Sequence, residues 1–342
     1  MADISKIELE EVVYDIKDSA ARSDIATLTS SVAGKISNVT GKTEENFKIY
    51  LNADTGSDDN DGLTNANAMK TLDAVFSKYG DKGNLNLWIF FNPGDYEINA
   101  TNFNNMSMHW GIKTSTNGNV TIKFNCTMNS IDGNTNVAFY ECHLHITGNY
   151  SSNNQKFILK GSQTCNRIYF DSGGFATEDG IDFQDLALAF HYSGFEARRT
   201  SVPQLELSCS ESRMETSSSV GSIQAYCSKL FFGSNTTFMN NTVYDTNTTQ
   251  IRLWLSDFIL GGPTYINMQE TPSKANFIEM YGGVLTLLAV FNKNGSETFT
   301  GYSKLHGVII VATQTRYNGL KAVATTNTFD ADCIYSPAIT TQ

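Results

Sequence analysis

Tyr50–Gly80 reads YLNADTGSDDNDGLTNANAMKTLDAVFSKYG, and Asn84–Tyr96 follows as NLNLWIFFNPGDY. The first stretch opens as a short strand and passes into a Gly/Asp/Asn loop. From Lys70 it takes helical spacing, with Leu72, Val75, Phe76 and Tyr79 falling at i, i+3, i+4 and i+7 on one face. Lys70–Tyr79 is therefore expected to be an amphipathic helix. Leu87 to Phe91 is a buried strand, and Pro93-Gly94 turns the chain after it.

Downstream, from about Met106 to Thr313, short apolar/polar alternations succeed one another. Examples are Val120–Phe124 (VTIKF), Phe157–Lys160 (FILK), Gly180–Phe190 (GIDFQDLALAF) and Gln250–Leu260 (QIRLWLSDFIL). Turn signals recur every ~8–14 residues, as in all-β chains. Several runs break in the middle, as at Asp171-Ser172-Gly173 and Leu255-Ser256-Asp257, where a solenoid would turn a corner. A β-sandwich or propeller is the competing arrangement. The solenoid is preferred because a Greek-key domain rarely continues for so many strands without subdividing. Coils of ~20–25 residues stacked ~4.8 Å apart would make about ten coils and a rod of some 50 Å.

The chain has 342 residues, net charge −11, 17% charged residues, 26 Gly and only 5 Pro, with 21 Phe and 15 Tyr. Abundant Asn, Thr and Ser favour strands and turns over helices. No basic run is present, which argues against a nucleic-acid partner. No segment has the apolar length of a membrane span, and the N-terminus lacks the pattern of a secretory signal. The six cysteines (Cys126, Cys142, Cys165, Cys209, Cys227 and Cys333) form no CxxC pair. They are expected to be buried free thiols of a protein assembled in a reducing cytoplasm.

The first 43 residues differ in composition. Lys6–Ile16 alternates as a small strand pair, and Asp18–Ile36 reads as a helix. Ile25, Leu28, Val32 and Val39 follow a short heptad pattern, broken by Lys35, that suits a trimeric coiled coil. Packing of that helix on its own domain is the alternative.

Two resemblances sharpen this. Tyr50-Leu51-Asn52, Gly56–Thr64, Lys70-Thr71-Leu72 with the following helix, and Asn92-Pro93-Gly94-Asp95-Tyr96 resemble the entry module of pectate-lyase-like right-handed parallel β-helix proteins. The resemblance covers about 50 residues. It implies an all-β, right-handed parallel β-helix whose open end is capped by the helix. It says little of chemistry, since such modules occur on lyases, hydrolases, epimerases and adhesins alike. Val13–Arg22 looks like the opening Y-x-I-K-D-x-x-A-R segment of phage tail-fibre and baseplate-attached proteins, carried here by Tyr14, Ile16, Lys17, Asp18 and Arg22. That resemblance implies a virion-attachment segment over residues 1–43; with the first resemblance and the strand succession, the chain divides further into an entry module over 44–105 and the β-helix with a polar tail over 106–342.

The expected protein is then a homotrimeric structural or host-recognition subunit of a bacteriophage tail. It would be made in the host cytoplasm, dock to other tail or baseplate proteins through its N-terminus, and meet a bacterial surface glycan or protein. A tailspike depolymerase of the same architecture is the alternative. For that chemistry the acids Asp171, Asp179 and Asp182 lie in the densest acidic stretch, with Glu178 and Asp185 beside them and Glu206, Glu211 and Glu215 further on. Paired carboxylates at the right separation cleave glycosidic bonds, but a solvated β-helix face offers such pairs easily. His143 and His145 share one strand face, yet no third metal ligand follows from sequence. No cofactor is expected, and the Asp/Asn loop lacks EF-hand ligands at Ser57 and Ala68. Trp88 and Trp254, inside apolar runs, are expected in the core or an interface. Trp110 is expected to be exposed.

Overall fold

The computed structural model describes residues 6–9, 12–15, 47–79, 86–99, 102–104, 106–112, 118–125, 130–131, 134–148, 155–162, 165–178, 180–215, 218–233, 236–238, 249–261, 265–268, 275–293, 298–329 and 331–340. The chain divides into two compact units, Met1–Phe47 and Lys48–Gln342. In the first, Lys6–Leu9 pairs antiparallel with Val12–Asp15, the strand pair expected from the alternation. Tyr14 lies in the second of these strands. Ile16, Lys17, Asp18 and Arg22, and the heptad residues Ile25, Leu28, Val32 and Val39, lie outside the described residues.

The rest is a parallel β-helix. One face is a twelve-stranded sheet that takes one strand from each coil, from Phe47–Leu51 through Asn86–Phe91, Ser107–Ile112 and His143–Thr147 to Ile334–Tyr335. The remaining wall is a second sheet in two columns. In the coil beginning at Gly174, for example, Ile181–Gln184 belongs to one column and Ala187–His191 to the other. Thr200–Ser208 and Ser219–Tyr226 each run through both columns.

Parallel in-register stacking places equivalent residues above one another, and the inward positions form ladders. Phe103, Phe139, Phe170 and Phe190 follow one another in register. Their rings stack at centroid distances of 4.7, 4.8 and 5.2 Å. Such offset stacks add to the hydrophobic gain of burying each ring.

The corners between the second sheet and the twelve-stranded sheet follow a two-residue rule. Tyr192, Cys209, Cys227 and Leu255 all sit at φ between +47° and +49°. Each is followed by a buried serine: Ser193, Ser210, Ser228 or Ser256. Each serine hydroxyl donates to the carbonyl two residues back, and accepts from a backbone N–H one coil before. The serine ladder thus satisfies polar groups that the turn would otherwise bury unpaired. It also measures the coils: successive rungs are 17, 18 and 28 residues apart. The coils of ~20–25 residues expected from the sequence are replaced by this wider spread, since variable loops leave the corner geometry unchanged. The breaks at Ser172 and Leu255 are corners, as the sequence suggested.

Both ends are covered by helices. The first, α1 (Leu72–Tyr79), begins two residues later than expected. Thr71 caps it through Oγ1, accepting from Ala74 N at 3.2 Å. Asp58 of the entry loop accepts from the N–H groups of Lys70 and Thr71 at 3.1 and 2.9 Å, so its carboxylate serves the helix start. Leu72 and Val75 are buried, and Phe76 meets Phe103 edge-on at 4.7 Å. A solenoid end exposes both its core and a strand edge. This helix covers the core, and Gly62 and Met69 of the entry loop pair with the edge strand at Tyr50 and Asn52. At the other end α2 (Gln314–Lys321) replaces a strand of its coil, packs against Val290–Lys293 and buries Tyr317 and Leu320. The sequence reading had no helix there.

Candidate functional site

The outward face of the twelve-stranded sheet carries a groove of about 590 Å³. Three outward positions per strand line up along it. Asn86, Ser107, His143, Gly174, Gly194 and Glu211 form one row. Trp88, His109, His145, Ala176, Glu196 and Arg213 form the next. Gly111, Thr147, Glu178, Arg198 and Glu215 follow in the third. The groove exists because Gly174, Ala176 and Gly194 are small where both flanks are large. A Cβ added at Gly194 would meet nothing within 4 Å, so the space there is open to solvent.

One flank is aromatic. Trp88 and His109 stack face to face with centroids 3.8 Å apart and planes 7° apart. His109 meets His145 edge-on at 4.6 Å. His145 Nε2 lies 3.8 Å from Glu178 Oε1. Burial under the indole, together with the neighbouring His145, pushes the His109 pKa down to about 4. Its imidazole is neutral at physiological pH, with two ring nitrogens for hydrogen bonds or proton transfer. The other flank is charged: Arg213 pairs with Glu215 at 2.6 Å, Lys229 with Glu211 at 3.7 Å, and Arg198 with both Glu196 and Glu215 at 3.7 Å. These are exposed pairs that contribute little to stability. They can exchange partners for a ligand's hydroxyls at small cost.

A smaller cleft of about 320 Å³ lies on the second sheet. Arg167, Tyr169 and His191 stand on one side, Gln224, Tyr226 and Trp254 on the other, and Glu206 and Ser208 between them. Arg167 is paired with Glu206 across it.

Sequence reasoning reached part of this. His143 and His145 do share a face, but their rung neighbour His109 comes from the preceding coil. Among the described residues no group of three metal-ligating side chains converges. The acids do not form one site. Asp171 ends a strand at a corner, held by Ser172 Oγ at 2.8 Å and facing His191 Nδ1 at 3.4 Å. Asp182 stands in the other column, accepting from Gln184 Nε2 at 3.2 Å. Asp179 lies outside the described residues. Glu178 ends the strand Gly174–Glu178, and among the described acids of that stretch it stands beside the groove, 3.8 Å from the lining residue His145.

The tryptophans change places in part. Trp110, expected to be exposed, is fully buried. Trp88 and Trp254 stand on outward faces and are partly covered, which takes them out of the core and leaves the interface half of their expectation standing. Strand alternation explains both: Leu87, Ile89 and Phe91 point inward, which sends Trp88 out. The cysteines divide too. Cys142, Cys165 and Cys333 are buried, whereas Cys209 and Cys227 are exposed at corners; these five are free.

Fold and site together define a parallel β-helix with an open, aromatic-edged groove on its twelve-stranded sheet. No protein-family model matches the chain, and no curated protein does. Among solved structures it is similar to a rhamnogalacturonan lyase, over 84% of this chain and 86% of that one, at 10% identity and a TM-score of 0.35. Likeness at that level carries no argument about substrate or activity.

Proposed function

We propose that this chain is the host-contacting subunit of a bacteriophage tail, a homotrimer that docks to the tail through residues 1–43 and grips a bacterial surface glycan in the groove of the twelve-stranded sheet. The carrying observation is the open floor of Gly174, Ala176 and Gly194, flanked by His143 and His145 and, one and two strands further, by the stacked His109 and Trp88. Sugar rings present a C–H face that packs on indole and hydroxyls that need polar partners. The groove offers an aromatic flank, and then Asn86, Ser107, His143, Glu196 and Arg213 within reach. Repetition along a polymer and in three copies multiplies weak single contacts. The tail assignment is supported by the N-terminal segment around Tyr14–Arg22.

The test is calorimetric titration of the full-length protein with capsular and cell-wall polysaccharides of candidate hosts. Binding is expected, and Trp88→Ala should weaken it at least about tenfold, roughly 1.4 kcal/mol. An unchanged affinity in Trp88→Ala, with the fold intact by circular dichroism, would remove the groove from the reading.

One observation favours a second reading, depolymerisation. His109 is a neutral imidazole in the groove, with Glu196 and Glu211 on the opposite flank. A neutral imidazole can take the proton beside a uronate carboxylate, although its lowered pKa makes it a weak base and such cleavage slow. The ultraviolet absorbance of an unsaturated product in the same incubations would establish a lyase. Its absence, with binding retained, leaves an adhesin.

A further inference from the structure

Cys209 and Cys227 are both exposed and both free. They occupy the same corner position on consecutive coils, at φ of +49° and +47°. The register around them is fixed on both sides. Cys209 N donates to Tyr226 O at 2.9 Å and Cys227 N to Trp254 O at 3.0 Å. Directly after them Ser210 N donates to Ser228 Oγ at 3.1 Å, across a coil of 18 residues. Corner residues of identical backbone conformation in adjacent parallel coils present their side chains in the same direction. Their Cα atoms stand one strand spacing apart, ~4.8 Å. That lies within the ~4.4–6.8 Å Cα separation of a disulfide, and a tilt of the two exposed side chains towards each other by a few tenths of an ångström brings the Cβ atoms within the ~3.5–4.5 Å it also requires.

We propose that Cys209 and Cys227 form a cross-coil dithiol, a modification site that reacts with small-molecule disulfides and closes to an intrachain disulfide when the protein meets an oxidising medium. The chemistry is thiol–disulfide exchange with a low-molecular-weight disulfide such as oxidised glutathione. The thiolate of one cysteine attacks a sulfur of glutathione disulfide and releases one glutathione, which takes up a proton. The second cysteine's thiolate then attacks the sulfur of the first and releases the other glutathione. Two protein thiols are oxidised by two electrons, and the disulfide is reduced to two thiols that carry the two protons. Cys142, Cys165 and Cys333 are buried, so reagent reaches the corner pair before them. The proposal rests on the corner geometry alone and stands apart from the glycan reading.

The folded full-length protein is incubated with excess oxidised glutathione, alkylated, digested without reductant and mapped by mass spectrometry. The expected product is a peptide pair linked through Cys209 and Cys227, two hydrogens lighter than the reduced pair, within a monomeric chain on a non-reducing denaturing gel. Cys209→Ser and Cys227→Ser should each halt at a glutathione adduct on the remaining corner cysteine. Adducts on both cysteines of the unsubstituted protein without a link would overturn the proposal. So would a Cys209–Cys227 link between chains, or no reaction at either residue.

Discussion

On the twelve-stranded sheet, the outward row Trp88, His109, His145, Ala176, Glu196 and Arg213 shrinks to a methyl group at Ala176, which remains partly exposed. On the second sheet, the row Tyr169, Ala189, Glu206, Gln224 and Arg252 shrinks to a methyl group at Ala189, which is only 2% exposed. The same dip in side-chain size gives a groove of about 590 Å³ on one face and a cleft of about 320 Å³ over a buried floor on the other. The difference is an ion pair that skips a coil. Arg167 and Glu206 belong to coils on either side of Ala187–His191, and their contact passes over Ala187 and Ala189. Glu206 is held in place by Gln204 Nε2 at 2.7 Å. Further along the same face Arg252, Glu279, Tyr281 and Lys304 continue as a connected chain at 2.9, 2.6 and 3.3 Å. The groove face has ion pairs too, but they lie along its rim. A solenoid face therefore carries a broad groove or a smaller, bridged cleft according to where its long side chains reach, beyond what the stacked rows alone dictate.

The largest test of this contrast compares one charge on each face. The Arg167 and Glu206 side chains are 10% and 23% exposed. Removing one partner of so covered a pair leaves the other charge without compensation, at a cost of about 3 kcal/mol. Arg167→Ala should therefore lower the unfolding free energy by that amount in urea denaturation. Glu196→Ala, on the exposed groove rim, should change it by less than about 0.5 kcal/mol. Equal losses for the two variants would mean that the faces do not differ as the geometry says.

The second test fills the open trough. Gly194 has clear space before its Cβ position and no left-handed backbone. Gly194→Leu should fold with little change in Tm. It should weaken glycan binding about tenfold or more, roughly 1.4 kcal/mol, by occupying the groove floor. Binding at the original affinity would place the glycan elsewhere on the molecule.

Much of the fold was legible in the sequence. The entry loop, the capping helix and the alternating strands are local patterns, so Leu72, Val75, Leu87 and Ile89 could be assigned to the interior before any coordinates. The corners were legible as polar breaks. The site was not, because it depends on which residues share a rung. Trp88, His109 and His145 come from three coils whose lengths vary with loops of no fixed size, so no single period aligns them. One signal was available: alternation in Leu87–Phe91 sends Trp88 outward. Its apolar neighbours outweighed that signal in the reading, and the same happened at Trp254. The acids Asp171 and Asp182 were grouped by nearness in sequence, but the corner after Asp171 puts them in different columns.

The smallest expected effect concerns His109, where the groove face has an electrostatic signature that can be measured without a ligand. Its folded pKa is about 4, below the ordinary value of 6.5, because burial under Trp88 penalises the imidazolium and His145 adds to that penalty. At pH above 6.5 the ring is neutral in both folded and unfolded chains, so it contributes no pH dependence. As pH falls from 6.5 towards 4, the unfolded chain binds a proton at this ring and the folded chain does not. Stability must decline across that window, and the slope flattens once the native ring also protonates. His143 and His145 line the same groove, and Glu178 lies 3.8 Å from His145. The difference between the protein and His109→Gln isolates the one ring. Tm measured from pH 7.5 to 5 should fall less steeply in His109→Gln than in the unsubstituted protein, with the two curves diverging only below about 6.5. Parallel curves would mean that the imidazole is freely solvated in the folded protein, and the Trp88–His109 stack would then not be a fixed wall of the groove.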